Sequence, residues 1–108
     1  MSHVTTHVLD AALGKPAAGV SVQLEHADGT LIALGTTNAD GRIADLGPDE
    51  LPAGHYRLVF GTAAYFIEVG QPTFYPKVQI DFDLAETESH YHVPLLLSPF
   101  AYSTYRGS

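Results

Sequence analysis

Hydrophobic and polar residues alternate along most of the chain, with a period of two rather than 3.6. The clearest examples are VSVQLEH at 20–26 and KVQIDFDL at 77–84, in which every second residue is apolar. The segments LPAGHYRLVF at 51–60 and YHVPLLLS at 91–98 have a strand-like composition as well. This alternation is the pattern of β-strands that bury one face.

Glycine-containing turns separate these segments at intervals of roughly ten residues, as in all-β sandwiches. Asp28-Gly29 lies between two strand-like runs and predicts a hairpin, because glycine tolerates a positive φ. Asp40-Gly41 repeats the same signal. Only GTAAYFIEVG at 61–70 has the composition of a helix, and glycines bracket it. The pattern therefore predicts about eight short strands and one short helix, in a β-sandwich.

Pro94 interrupts the strand-like run at 91–98. Proline has no N–H to donate to a sheet, so its presence predicts an edge strand or a bulge. Edge strands are available for pairing with another chain. Together with the apolar run Leu95, Leu96 and Leu97, this position indicates an oligomer.

Composition narrows the class of protein. A chain of 108 residues, 45% of them hydrophobic, is the size of one domain, which we expect to span 1–108. It has no cysteine, which excludes a disulfide framework and a thiolate nucleophile or metal site. The net charge of -7, without a basic cluster, argues against nucleic acid and anionic membranes as partners. We see no targeting or membrane-spanning segment, so a cytoplasmic location is expected.

Histidines are the residues best suited to chemistry. His90 and His92 lie two apart on a predicted strand, so they share a face, and His7 is on the first predicted strand. Three readings stay open for these histidines: an ordinary solvent-facing position, a catalytic or binding role, and a zinc site made of three imidazoles. The chain has no HExxH or comparable ligand motif, which weakens the zinc reading.

Other charged residues could likewise be either solvated surface groups or parts of a site. Arg42 follows the Asp40-Gly41 turn, where an arginine is either a solvated charge or a fork for an anion. Asp81 and Asp83 share a strand face, which we interpret as the solvent face rather than a carboxylate pair. The chain closes with LLLSPFAYSTYRGS, which places Tyr105 and Ser108 where chains usually fray.

Three stretches together resemble the transthyretin-like family. They are THVLDAALGKPAAGV at 6–20, TTNADGRI at 36–43 and HYHVPLLLSPFAYSTYRGS at 90–108. The terminal YRGS is typical of the branch of this family that hydrolyses 5-hydroxyisourate, rather than of its hormone carriers. The likeness extends over nearly the whole chain.

The resemblance implies an all-β, transthyretin-like (prealbumin-like) fold of two four-stranded antiparallel sheets with one short helix. It implies a homotetramer, a dimer of dimers, with active sites in the channel between dimers. The implied reaction opens the ring of 5-hydroxyisourate to give 2-oxo-4-hydroxy-4-carboxy-5-ureidoimidazoline, in urate catabolism. No cofactor and no metal would be needed.

The family motifs carry over to individual positions. They assign the catalytic residues His7, Arg42, His92 and Ser108, and they assign His7, Arg42 and Tyr105 to substrate binding. Either His7 or His92 would be the general base, and Arg42 would stabilise the developing anion. Tyr105 would pack on the substrate ring, and Ser108 would orient the water or a histidine. His90 is not the catalytic histidine of its motif.

Two other functions fit parts of the sequence. One is a non-enzymatic small-molecule carrier with the same fold. The other is an accessory β-sandwich module of the kind attached to secreted carboxypeptidases, which residues 14–60 also resemble. The second likeness ends at Phe60 and leaves the C-terminal motif unexplained.

Overall fold

The computed structural model describes residues 2–85 and 89–107. In these ranges the chain forms eight strands and one helix, as the alternation predicts. The elements are β1 (Val4–Asp10), β2 (Lys15–Pro16), β3 (Ser21–His26), β4 (Leu31–Thr36), β5 (Gly54–Gly61), α1 (Thr62–Glu68), β6 (Val78–Leu84), β7 (Tyr91–Leu97) and β8 (Tyr102–Thr104). No helix of the described residues is long and apolar enough to cross a membrane.

The strands form two four-stranded sheets. One has the order β2-β1-β7-β8 and the other has the order β4-β3-β5-β6. Every neighbouring pair is antiparallel except β1 and β7, which run parallel from Val4 opposite Tyr91 to Asp10 opposite Leu97. The expectation of two four-stranded sheets is confirmed, and this parallel pair is a feature that the sequence did not predict.

The core lies between the two sheets and consists of the inward residues of each alternating strand. Along β1 every second residue from Val4 is buried, and β7 buries Tyr91, Val93, Leu95 and Leu97. The opposite sheet contributes Leu24, Leu58 and Phe60, all fully buried. Burying one such side chain stabilises the fold by about 1.5–3 kcal/mol. The alternation gives each sheet one apolar face, and burying these two faces against each other stabilises the sandwich.

The hairpin predicted at Asp28-Gly29 is confirmed. It joins β3 to β4, and Gly29 has a φ of +90°. The Asp28 carboxylate accepts a hydrogen bond of 2.9 Å from the backbone N–H of Thr30, which closes the turn.

The turn at Asp40-Gly41 forms as well, but it does not lead into a second hairpin. After Gly41 the chain crosses to the other sheet, where Arg42 pairs with His7 of β1 in an isolated bridge. The same dipeptide therefore produces a turn at both places, while tertiary packing decides where the following residues go.

The predicted helix is confirmed as α1. It begins after Gly61 and ends before Gly70, whose φ of +71° stops the helix. Tyr65 of this helix is buried and donates a hydrogen bond of 2.6 Å to the carboxylate of Asp10. This contact ties α1 to the end of β1.

The expectation that Pro94 marks an edge strand or a bulge is wrong. Its strand, β7, lies between β1 and β8. The ladder to β8 pairs Leu95 with Thr104, and the bridge of His92 with Gly107 continues in the same register. Pro94 lies between these two pairings, where its missing N–H interrupts the ladder, and its carbonyl accepts a 2.7 Å hydrogen bond from the Thr104 hydroxyl.

Asp81 and Asp83 face solvent on β6, as predicted. Asp81 accepts a hydrogen bond of 2.9 Å from Arg57 of the neighbouring strand, and Asp83 contacts the imidazole of His55. These are surface pairs across two strands, which agrees with the interpretation that the two carboxylates do not form a site.

Candidate functional site

The outer face of the sheet containing β1 and β7 carries the candidate site. Because β1 buries Val4, Thr6 and Val8, its intervening residues Thr5 and His7 point outward. The parallel register places Thr5 opposite His92 and His7 opposite Pro94. One outward face thus receives residues that are more than eighty positions apart in the sequence.

The turn at 38–42 brings Arg42 beside His7. The backbone N–H of Val8 donates to the carbonyl of Gly41 at 2.8 Å, and Nε2 of His7 donates to the carbonyl of Asp40 at 2.8 Å. The Asn38 side chain holds the turn together by accepting from the N–H groups of Asp40 and Arg42. His7 is therefore fixed by the same turn that presents the guanidinium.

Glycine at position 41 allows this close approach. Its φ is +75°, and a Cβ atom there would lie 2.3 Å from the carbonyl oxygen of Val8. Any other residue would push the turn away from β1, since L-residues rarely adopt this conformation and the oxygen cannot move independently.

The segment that follows β8 packs against His92. The N–H of Gly107 donates to the carbonyl of His92 at 2.8 Å. A Cβ at Gly107 would lie 2.6 Å from Cδ2 of the His92 ring and 3.3 Å from Cγ of Pro94. The glycine of the YRGS motif thus lets the backbone lie directly on the imidazole.

Thr5 links two histidines. Its hydroxyl oxygen is 2.8 Å from Nε2 of His90 and 2.8 Å from Nδ1 of His92. The expectation that His90 and His92 share a face is confirmed, and the shared contact with Thr5 shows how close the two rings lie.

The surroundings of His92 favour its neutral form. Burial lowers the pKa of the His92 imidazole, and the nearby Arg42, His7 and His90 lower it further. A histidine that stays neutral at pH 7 has a lone pair with which to accept a proton.

These residues border an open pocket of about 390 Å³. Its lining includes Thr5, Asn38, Arg42, Ile43, His90 and His92. The pocket is roomy enough for a small heterocycle, and its lining includes both a cation, Arg42, and the imidazole of His92.

The structure brings together three of the predicted site residues, namely His7, Arg42 and His92. Tyr105 is 57% exposed and borders a different opening of about 330 Å³, beside Ile80 and Phe82 of the other sheet. The guanidinium of the next residue, Arg106, stacks on the ring of Tyr91 at 4.3 Å. Ser108 lies outside the described residues.

Sequence reasoning missed two residues of this site. Thr5 shares the outward face of β1 with His7 by the period of two, so the alternation could have identified it. Asn38 precedes the Asp40-Gly41 turn, and asparagine commonly closes such turns with its side chain.

The described residues contain no group of three or more histidine, aspartate or glutamate side chains arranged to hold a metal ion. His90 and His92 instead share a hydroxyl, and His7 is bonded to a backbone carbonyl.

The chain is similar in sequence to one protein family over nearly its whole length. A model of the HIUase/Transthyretin family matches residues 4–107. A 5-hydroxyisourate hydrolase of Mesorhizobium japonicum is 51% identical, over 97% of this chain and 91% of the relative.

Two solved structures show the range of proteins with this fold. The 5-hydroxyisourate hydrolase of Klebsiella pneumoniae superimposes with a TM-score of 0.89 at 44% identity, covering 100% of this chain and 94% of that one. Sea bream transthyretin, solved in complex with thyroxine, superimposes with a TM-score of 0.88 at 40% identity. The match covers 96% of this chain and 93% of the transthyretin chain. Both structures superimpose on this chain about equally well, so the fold alone does not distinguish a hydrolase from a small-molecule carrier.

Proposed function

The chain belongs to the HIUase/Transthyretin family, and from that premise we propose that it hydrolyses 5-hydroxyisourate to 2-oxo-4-hydroxy-4-carboxy-5-ureidoimidazoline. The observation that carries this proposal is the gathering of His7, Arg42 and His92 on one outward sheet face. Opening a cyclic amide by hydrolysis needs an activated water, stabilisation of an oxyanion and a proton for the leaving nitrogen. Two imidazoles and a guanidinium supply these functions without a cofactor.

His92 is the better candidate for the general base. Its lowered pKa keeps it neutral near pH 7, so its ring can take a proton from water. Since Nδ1 of His92 is bonded to Thr5, Nε2 is the ring nitrogen that exchanges a proton with the substrate site. His7 donates through Nε2 to the Asp40 carbonyl, which suits a fixed residue that binds and orients substrate.

Arg42 stabilises the tetrahedral intermediate in this mechanism. Its backbone is held by Asn38 and paired with His7, and its charge is near enough to His92 to lower the pKa of that imidazole. A preorganised donor at a developing oxyanion typically lowers the activation free energy by about 2.7–4 kcal/mol.

Tyr105 and Ser108 complete the site in our proposal as parts of the segment that lies against His92. Gly107 lies on the His92 ring, whereas Tyr105, two residues before it, borders the neighbouring opening, so its exposed side chain has to turn towards the His92 pocket to reach a substrate there. Tyr105 would cover the bound ring, and Ser108 would orient the water or a histidine.

We also propose a homotetramer, a dimer of dimers, in which a second subunit covers the pocket. Leu9 and Leu96 are paired on the outward face, and Leu13 and Phe100 are more than half exposed in the loops that follow β1 and β7. A partner that packed on this face would bury these side chains and convert an open pocket into a channel. We place this assembly in the cytoplasm, with residues 1–108 as one domain.

The test is to generate 5-hydroxyisourate freshly and follow its ultraviolet absorbance with and without the protein. Hydrolysis predicts faster decay in proportion to enzyme concentration, unchanged by a metal chelator. A carrier would bind the compound without accelerating its decay, and that result would reject the enzymatic proposal.

A further inference from the structure

Thr5 occupies a central position between two imidazoles. Its hydroxyl oxygen lies 2.8 Å from a nitrogen of each, Nε2 of His90 and Nδ1 of His92. The three side chains come from two neighbouring strands held in parallel register, with Thr5 opposite His92. They form a continuous hydrogen-bonded chain at the border of the pocket.

A hydroxyl has one hydrogen to donate and can also accept, so a chain in which Thr5 donates to one imidazole and accepts from the other has two possible directions. In the first, Nδ1–H of His92 donates to Thr5, and Thr5 donates to Nε2 of a neutral His90. In the second, Nε2–H of His90 donates to Thr5, and Thr5 donates to Nδ1 of His92. Only the first direction leaves the lone pair of His92 on Nε2, where a base is needed.

We propose that Thr5 and His90 form a proton relay with His92, in which Thr5 sets the tautomer of His92 and His90 holds the abstracted proton between the two halves of the reaction. This inference rests on the proposed hydrolysis. In it, Thr5 and His90 are positioning residues, because they act on the substrate only through His92.

The relay is balanced over one turnover. As water attacks the substrate carbonyl, its proton moves to Nε2 of His92, the Nδ1 proton moves to Thr5, and the Thr5 proton moves to Nε2 of His90. His90 is then an imidazolium, and the tetrahedral intermediate carries the negative charge. When the carbon–nitrogen bond breaks, Nε2–H of His92 protonates the leaving nitrogen, and each proton moves back along the chain.

The surroundings favour a positive charge on His90 over one on His92. His90 is exposed, whereas His92 is partly buried. The charged or titratable groups that act on His92 are Arg42 from the turn, His7 from β1 and His90 itself. Each of them opposes a charge on His92, and the lowered pKa of His92 agrees with a proton passed outward.

The first test determines the tautomer directly. Nitrogen-15 NMR of the imidazoles, in the protein without substrate, should show His92 with its proton on Nδ1. Thr5→Val keeps the shape of the side chain but removes the hydroxyl, and it should shift His92 towards the Nε2–H tautomer. Thr5→Ser keeps the hydroxyl and should retain the Nδ1–H form.

The second test is kinetic. Thr5→Val should lower kcat by about tenfold or more, while Thr5→Ser should stay within about threefold of the wild type. Rates measured in mixtures of H₂O and D₂O should curve with deuterium content in the wild type, since several protons move together. They should become linear in Thr5→Val.

His90→Gln separates orientation from proton acceptance. The glutamine amide oxygen can occupy the position of Nε2 and still accept from Thr5, so His92 should keep its Nδ1–H tautomer, but the amide cannot hold a proton. The rate should then fall by a few-fold to about tenfold, and the H₂O–D₂O dependence should become linear.

An Nε2–H tautomer of His92 in the wild type would overturn the inference. So would an unchanged tautomer, rate and isotope dependence in Thr5→Val. If the wild type does not accelerate the decay of 5-hydroxyisourate, the proposed function fails instead. The NMR arm requires no substrate and still decides whether Thr5 sets the tautomer.

Discussion

His92 is the residue on which the proposed chemistry depends most. We expect His92→Asn to lower kcat by about 10²-fold or more, the usual range for a general acid–base residue. His90→Asn should cost much less, because His90 is exposed and acts through Thr5. Steady-state rates of 5-hydroxyisourate decay measure kcat for both variants. Equal losses of kcat in the two variants would contradict the assignment of His92 as the base.

The lowered pKa of His92 also affects stability. The unfolded chain has an ordinary imidazole at this position, with a pKa near 6.5, whereas the folded chain binds that proton less readily. The contribution of His92 to stability is therefore complete above about pH 6.5, and it is lost as the pH falls towards the folded pKa. Urea denaturation of the wild type and His92→Gln at several pH values should show a smaller acid-induced loss of unfolding free energy in the variant.

Gly107 provides a matched test of the segment that packs on His92. We expect Gly107→Ala to lower kcat by about tenfold or more, because a Cβ 2.6 Å from Cδ2 of His92 must displace the ring or the backbone. Ser103→Ala, on the exposed strand β8, serves as the control. Full activity in Gly107→Ala would show that the position of this backbone does not matter to the site.

At the scale of the elements, one buried hydrogen bond ties α1 to the end of β1. Tyr65 donates to Asp10, and burial and that carboxylate both raise the pKa of the Tyr65 hydroxyl. Tyr65→Phe leaves one carboxylate oxygen of a buried Asp10 without this donor. We expect the unfolding free energy to fall by about 1–3 kcal/mol. Chemical denaturation beside the exposed Tyr102→Phe checks this, and equal stabilities would contradict it.

Local patterns were sufficient to predict most of the elements. Alternation identified the strands, Gly29 identified a hairpin, and the glycines at 61 and 70 bracketed the helix. The failures involve partners that are distant in sequence. Pro94 lies inside a sheet because β8 covers only part of β7, and the turn at Gly41 leads to β1 because the two sheets pack together. Neither arrangement has a local signal.

The site residues also divide into those with a signal in the sequence and those that depend on distant partners. His7, Arg42 and His92 were identified from motifs, and the structure places them together. Thr5 was missed because its importance depends on lying opposite His92, which only the parallel register of β1 and β7 determines. The roles of Tyr105 and Ser108 stay predictions.

At the scale of the whole molecule, assembly is the property to test. We expect a tetramer, since Leu9 and Leu96 on the outward face and the exposed Leu13 and Phe100 would otherwise remain in contact with water. Light scattering coupled to size-exclusion chromatography measures the mass at micromolar concentration. A monomer would contradict both the assembly and a pocket covered by a second subunit.

The parallel pairing of β1 with β7 has a consequence for how activity is acquired. Contacts between such distant parts of a chain require a large loop to close, which makes them slow to form during folding. His7 lies on β1 and His92 lies on β7, so neither strand carries the whole site. Hydrolysis should therefore begin only after the two strands have paired. In a refolding experiment, recovery of catalysis should follow the formation of secondary structure, and it should report when β1 and β7 have paired.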